Sequence, residues 1–96
     1  MKFAAFIDYK QDKETIDRVR PIHRQYLRSL LDAGKLFASG PFTDDSGALI
    51  IYEADTPEEA ETILHGDPFH AAGIFVKWKI MPWKMVLGNP ALIPTS

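Results

Sequence analysis

The chain opens on alternation. From residue 2 to residue 9, Phe3, Ala5, Ile7 and Tyr9 fall on one side of an extended backbone, and Ala4 and Phe6 fall on the other. Both sides are largely apolar, which predicts a central strand covered on both faces. Residues 10–19, Lys10 to Val19, are polar and are expected to hold one short helical turn. From Pro21 to about Ala33 the pattern changes to the helical period of about 3.6 residues. Pro21 suits a first helical position, because its φ is already helical and its missing N–H would have no partner there. Ile22, Tyr26 and Leu30 form one apolar ridge and His23, Leu27 and Leu31 an adjacent one, with Arg24, Gln25, Arg28, Ser29 and Asp32 opposite. Gly34 supplies the left-handed residue that ends the helix.

Residues 36–42 read as a second strand, whose Gly40-Pro41 pair implies a bulge or an edge position, since Pro41 cannot donate to a ladder. Asp44-Asp45-Ser46-Gly47 is a turn into a third strand from Ala48 to Ala54, forming an antiparallel hairpin. Thr56-Pro57-Glu58-Glu59 starts a helix, with Thr56 as cap and Glu59 placed to reach back. Ala60, Ile63 and Leu64 are its apolar face, and Gly66 closes it. Asp67-Pro68-Phe69 starts a very short helical turn, with Asp67 as cap, that ends at Gly73. Residues 74–81 form a fourth strand in which Ile74, Val76, Trp78 and Ile80 alternate with Phe75, Lys77 and Lys79. Pro82 to Val86 extends it after a break, and Gly88 to Ser96 reads as an extended tail.

The element order is βαββαβ, an α+β chain with the split βαβ of the ferredoxin-like fold. It predicts one antiparallel sheet with both helices on one face. The other face would then expose large strand residues, and an apolar patch beyond a few hundred Å² usually marks an interface. Pairing two such sheets face to face gives a dimeric α+β barrel, so a homodimer is expected.

Composition narrows the classes of function. The 96 residues are read as a single domain, 1–96, with 46% hydrophobic and 25% charged residues. A net charge of −2 gives no electrostatic reason to bind nucleic acid or an anionic membrane. With no cysteine there are no disulfides, no thiolate catalysis and no cysteine–zinc site, which fits a reducing cytoplasm. The start of the chain does not read as a secretion signal, and no run reaches the roughly 20 apolar residues that span a bilayer. His65 and His70 lack the helical spacing of a metal-ligand pair, and the six glycines are scattered rather than gathered into a phosphate loop. No metal and no cofactor are expected.

Four features carry candidate chemistry. His23 points with the core leucines, where a titratable ring needs a partner or a purpose. Arg20 precedes the expected helix start, where the dipole does not favour a cation, so a carboxylate of substrate or protein is its expected partner. Ser39 lies beside the expected strand irregularity, and such irregularities often re-aim a side chain toward a site. Phe42, Phe69, Trp78 and Trp83 are candidates to line an apolar pocket, or to serve as core and interface.

The ordered set Arg20-Pro21-x-His23-x-x-Tyr26-Leu27, Gly34-x-Leu36, Ser39-Gly40-Pro41, Ser46-Gly47, Pro57-Glu58-Glu59-Ala60, Asp67-Pro68-Phe69 and Pro82-Trp83 resembles the YciI-like (YCII-related) proteins over about residues 1–87. The resemblance implies a ferredoxin-like, dimeric α+β barrel. It also implies an active-site cleft with a histidine–aspartate pair, here His23 and Asp67, with Ser39 nearby. A carboxylate bound to one ring nitrogen fixes the tautomer and leaves the other as a general base. Related dimeric barrels include muconolactone isomerases, chlorophenol-pathway dehydrochlorinases and small monooxygenases. The resulting expectation is a cofactor-independent lyase or isomerase acting on a small cyclic or phenolic metabolite. His23 and Asp67 would be catalytic, and Ser39, Arg20, Phe42 and Phe69 would contact substrate. The competing expectation is a non-catalytic small-ligand-binding or scaffold domain that needs no dyad.

Overall fold

The computed structural model describes residues 1–94. Strand β1 spans Lys2–Tyr9, helix α1 Lys13–Asp32, β2 Leu36–Pro41 and β3 Gly47–Glu53; α2 spans Pro57–His65, α3 Pro68–Ala71 and β4 Phe75–Trp83. The sheet order is β2-β3-β1-β4, and every neighbouring pair is antiparallel. This is the ferredoxin-like α+β arrangement. Among the described residues, no helix is long and apolar enough to cross a membrane.

The β1 alternation holds on its inner face, where Phe3, Ala5, Ile7 and Tyr9 are buried. They join Ile50 and Tyr52 of β3, Ile63 and Leu64 of α2, and Phe69 of α3 in one core. Among the described residues no helix covers the outer face, where Ala4 is buried and Phe6 stands half-exposed. Gly47 is where β3 begins, so close to β1 that a Cβ would lie 1.9 Å from the Ile7 carbonyl oxygen.

Helix α1 differs from the sequence expectation. It starts at an Asp12 cap, whose carboxylate accepts from the Thr15 backbone N–H (3.2 Å) and hydroxyl (2.7 Å). Pro21 therefore lies inside the helix, not at its start. Pro21 lacks one backbone donor, but the helix gains a longer inward stripe: Ile16, Val19, His23, Tyr26, Leu27 and Leu30. Ile22 and Leu31, expected on the apolar ridges, are exposed instead. The C-terminus is as expected. Gly34 has φ +73°, Gly34 N–H donates to Leu31 O (3.1 Å) and Lys35 N–H to Leu30 O (2.8 Å), closing the helix in a Schellman motif.

Strand β2 is an edge strand, as Pro41 implied, but its register shift lies between Leu36 and Ala38, ahead of Gly40-Pro41. The fourth strand runs without a break through Pro82, which pairs with Phe3 on an edge where a missing donor costs little. Its expected alternation fails at one point. A register shift between Asp8 and Tyr9 turns Phe75 inward and leaves Val76 exposed. Thr56 caps α2 through Glu59 N–H (3.1 Å), and Glu59 reaches back to Asp55 N–H (3.0 Å). The tail contains a short 3₁₀ turn at Pro90–Leu92, and its last two positions, Thr95 and Ser96, lie outside the described residues.

Candidate active site

Two helical elements meet over the inner face of the sheet. His23 stands in the third turn of α1 and points inward with Tyr26 and Leu30; Asp67 caps the short α3 that packs against α1. The Asp67 side chain is fully buried and His23 nearly so. His23 Nδ1 lies 2.7 Å and 2.9 Å from the two carboxylate oxygens, and Oδ1 also accepts from Phe69 N–H at 2.9 Å. The cap and the imidazole partner are thus one carboxylate, using different lone pairs. A carboxylate only accepts, so Nδ1 is the donor and a neutral ring leaves Nε2 free to take a proton.

The imidazole lies flat on Phe69, centroids 3.9 Å apart and planes 3° apart, with Phe75 edge-on at 6.3 Å. Tyr9 closes the cluster, edge-on to Phe69 at 5.4 Å. These rings leave the dyad little rotational freedom and keep water from its carboxylate side. Burial raises the Tyr9 phenol from 10.0 to about 12; Arg20 opposes the shift, and Asp67 and Asp45 add to it. At neutral pH Tyr9 is therefore a neutral hydroxyl.

A cavity of about 190 Å³ opens against His23. Ser39, Gly40 and Pro41 of β2 form one wall, Arg24 and Leu27 of α1 another, and Tyr9, Ala48 and Ile50 line the sheet side. The structure therefore brings His23, Asp67 and Ser39 into one neighbourhood. Three other expected contacts fall elsewhere. Arg20 lies inside α1 and pairs with Asp45 of the β2–β3 turn, Nη2 to Oδ1 2.9 Å, so its carboxylate partner is protein. Phe69 is fully buried beneath the imidazole, so it supports His23 rather than touching a substrate. Phe42 lines a separate depression of about 300 Å³ with Leu49 and Ile51. Trp78 donates to Glu61 (2.8 Å), and Trp83 packs near Phe37, so neither lines the cavity.

Two cavity residues escaped the sequence reading. Tyr9 ends the buried face of β1, and a polar-tipped ring at a strand terminus was the available signal. Helical periodicity sets Arg24 opposite the apolar ridges of α1, but adjacency to His23 puts it on the cavity rim. His65 and His70 do meet, with rings stacked 4.7 Å apart, yet no group of three or more His, Cys, Asp or Glu side chains able to hold a metal occurs among the described residues.

A model of the YCII-related domain matches residues 1–84. The chain belongs to the YCII-related family. It is 32% identical over 95 residues to Protein YciI of Escherichia coli O6:H1 (strain CFT073), covering 84% of this chain and 97% of that protein. It is 38% identical over 63 residues to YjpA of Bacillus subtilis (strain 168), a protein described as uncharacterized, covering 66% of this chain and 73% of that one. Among solved structures it resembles 5-chloro-2-hydroxyhydroquinone dehydrochlorinase (TftG) from Burkholderia phenoliruptrix AC1100 in complex with 2,5-dihydroxybenzoquinone. There the TM-score is 0.76 at 26% identity, covering 88% of this chain and 94% of that chain. The inner-face dyad thus sits in a fold shared with a dehydrochlorinase.

Proposed function

We propose that this YCII-related chain is a lyase or isomerase that moves protons on a small cyclic or phenolic metabolite without a bound cofactor. The observation that carries the reading is the His23–Asp67 contact at 2.7 Å, buried beneath a cavity that the imidazole itself lines. Asp67 orients the ring and stabilises its charged form, while Nε2 takes and returns the proton. Ser39 and Tyr9 supply hydroxyls to substrate oxygens. The likeness to TftG supports hydrogen chloride elimination from a chlorinated hydroxyquinol as the concrete form.

That reaction needs only proton transfers. One ring hydroxyl gives up its proton and its carbon becomes a carbonyl, while a proton is delivered to the chlorine-bearing carbon. A second hydroxyl then loses its proton as the C–Cl bond breaks and chloride leaves with the bonding pair. The carbon–chlorine bond is replaced by carbon–hydrogen and the ring reaches the quinone level, so no outside oxidant enters. A single base that takes and gives protons suffices, and an isomerase would use the same steps without the leaving group.

We also propose that the chain works as a homodimer, with the helix-free sheet face covered by a second copy. The exposed Phe6, Met81 and Trp83 on that face support this.

The decisive variant is His23→Asn, because the amide nitrogen can still donate to Asp67. His23→Ala would strand a buried carboxylate and so confuse catalysis with folding. Chloride release from 5-chloro-2-hydroxyhydroquinone, followed anaerobically, should fall at least about 100-fold in His23→Asn with the circular dichroism spectrum unchanged. Turnover by His23→Asn at the wild-type rate would overturn the assignment. A wild type that binds but never turns over would leave a ligand-binding domain.

A further inference from the structure

Outside the dyad, the lining of the cavity includes one full charge, on Arg24, and the neutral hydroxyl of Tyr9. Arg24 is exposed at the rim, one residue past His23. Arg20, one turn earlier, is held by Asp45, whereas Arg24 enters no ion pair among the described residues. Tyr9 lines the same cavity, and there burial acts most strongly, followed by Arg20, Asp67 and Asp45, with Arg24 acting least. The remaining walls are mostly apolar: Leu27, Pro41, Ala48 and Ile50. Apolar walls focus the field of an uncompensated cation and raise its pull on an anion.

Size restricts the occupant further. An apolar cavity of about 150 Å³ is known to hold benzene, so about 190 Å³ suits one ring with a few substituents. A flat ring bearing oxygen would place one edge toward Nε2 and another toward the rim.

We infer that the cavity selects an anionic six-membered ring, a phenolate or enolate, with Arg24 reading its charge and the Tyr9 hydroxyl donating to a ring oxygen. This rests on the cavity being the substrate site. A ring that arrives as its anion has already lost one hydroxyl proton, so the proton that goes to carbon reaches Nε2 from solvent, and His23 passes it on. Arg24 is a specificity residue in this scheme, acting on binding more than on the proton transfers.

Two quinones test it by titration calorimetry. 2,5-Dihydroxybenzoquinone is doubly vinylogous acid and a dianion at neutral pH; 2,5-dimethylbenzoquinone has a closely similar outline and no charge, and the chain has no cysteine thiol to add to it. Arg24→Gln should weaken the dianion about tenfold or more and leave the neutral quinone within about twofold, since charged hydrogen bonds are the stronger kind. Arg24→Lys should recover part of the loss, and added salt should weaken dianion binding in wild type but not in Arg24→Gln. Tyr9→Phe should weaken both quinones alike, because both offer ring oxygens.

Dianion binding unchanged in Arg24→Gln overturns the inference and leaves the proposed function standing. So does a loss of charge preference that appears in Arg20→Gln instead, or a Tyr9→Phe variant that binds both quinones as wild type does. Wild-type protein that binds neither quinone overturns the cavity as substrate site, and the inference with it.

Discussion

The two faces of the sheet are built by the same alternation and end in opposite states. On the inner face Phe3, Ile7, Ile50 and Tyr52 are at most 1% exposed. On the outer face Phe6 is 49%, Met81 41% and Trp83 40% exposed. The inner face is finished by α1, α2 and α3, and there the fold and the candidate site are one structure: the proposed base stacks on a core phenylalanine, and its partner carboxylate is a helix cap. The outer face has apolar area and no element of the described chain to cover it. The strip Ser39 to Pro41 belongs to both sides, lining the His23 cavity and also the depression beside Phe42. Whatever covers the outer face bears on a wall of the site.

The largest expected effect comes from the inner face. Phe69→Ala removes a fully buried ring that touches His23, Tyr9 and Phe75. Urea unfolding should show a loss of about 3–5 kcal/mol. Turnover should fall even at low temperature where the variant remains folded, because the imidazole loses its stacking surface. A loss below about 1 kcal/mol would mean that the inner face is not packed as tightly as its burial implies.

A second effect on the same face is set by pH. Unfolded tyrosine ionises near 10.0, and folded Tyr9 only at about 12. Tyr52 is also shifted upward by burial. A phenol whose folded value is raised holds its proton longer in the folded state. Its stabilising contribution is complete below pH 10 and is lost as the pH rises toward 12. For Tyr9 alone the loss approaches about 2–3 kcal/mol. Denaturant melts between pH 9 and 11.5 should steepen accordingly, and Tyr9→Phe should remove its own share of that dependence while the share of Tyr52 remains.

Both faces were largely legible in the sequence: the βαββαβ order implied an outer face that exposes large strand residues, and local chemistry implied most of the inner one. Alternation in β1, the Thr56 and Asp67 caps and the Gly34 stop signal each rest on local chemistry, and each reappears in the structure. Pro21 shows the limit of such rules. A proline before an apolar run looks like a helix start, yet the Asp12 cap and the inward residues Ile16 and Val19 carry α1 two turns further back. Pro57 and Pro68 follow caps whose side chains accept backbone N–H groups, and Pro21 follows none. The pairing of His23 with Asp67 spans 44 residues and came only from family resemblance, since no periodicity encodes a contact between two elements. Arg24 and Tyr9 were missed for the same reason: cavity walls are made by packing, and only their residues are local.

The outer face is tested by Phe6→Glu. The side chain is half-exposed within one chain, so its replacement should change the stability of that chain by less than about 1 kcal/mol. If a second copy covers this face as proposed, the carboxylate becomes a buried charge at the interface, and sedimentation should report a monomer. A variant that sediments like wild type would remove the second copy from this face.

The smallest effect separates two kinds of polar group on the inner face. Asp67 and His23 are buried but satisfy each other, whereas the Tyr52 hydroxyl, on a fully buried side chain, has no hydrogen-bond partner among the described residues. An unpaired buried hydroxyl costs on the order of 1–3 kcal/mol relative to water, so removing it should not destabilise the fold. Tyr52→Phe should be neutral or up to about 1 kcal/mol more stable in urea, with the His23 cavity and turnover unaffected. A loss above about 1 kcal/mol would show that the hydroxyl has a bonding partner in solution, and that the inner face hides a second polar contact besides the dyad.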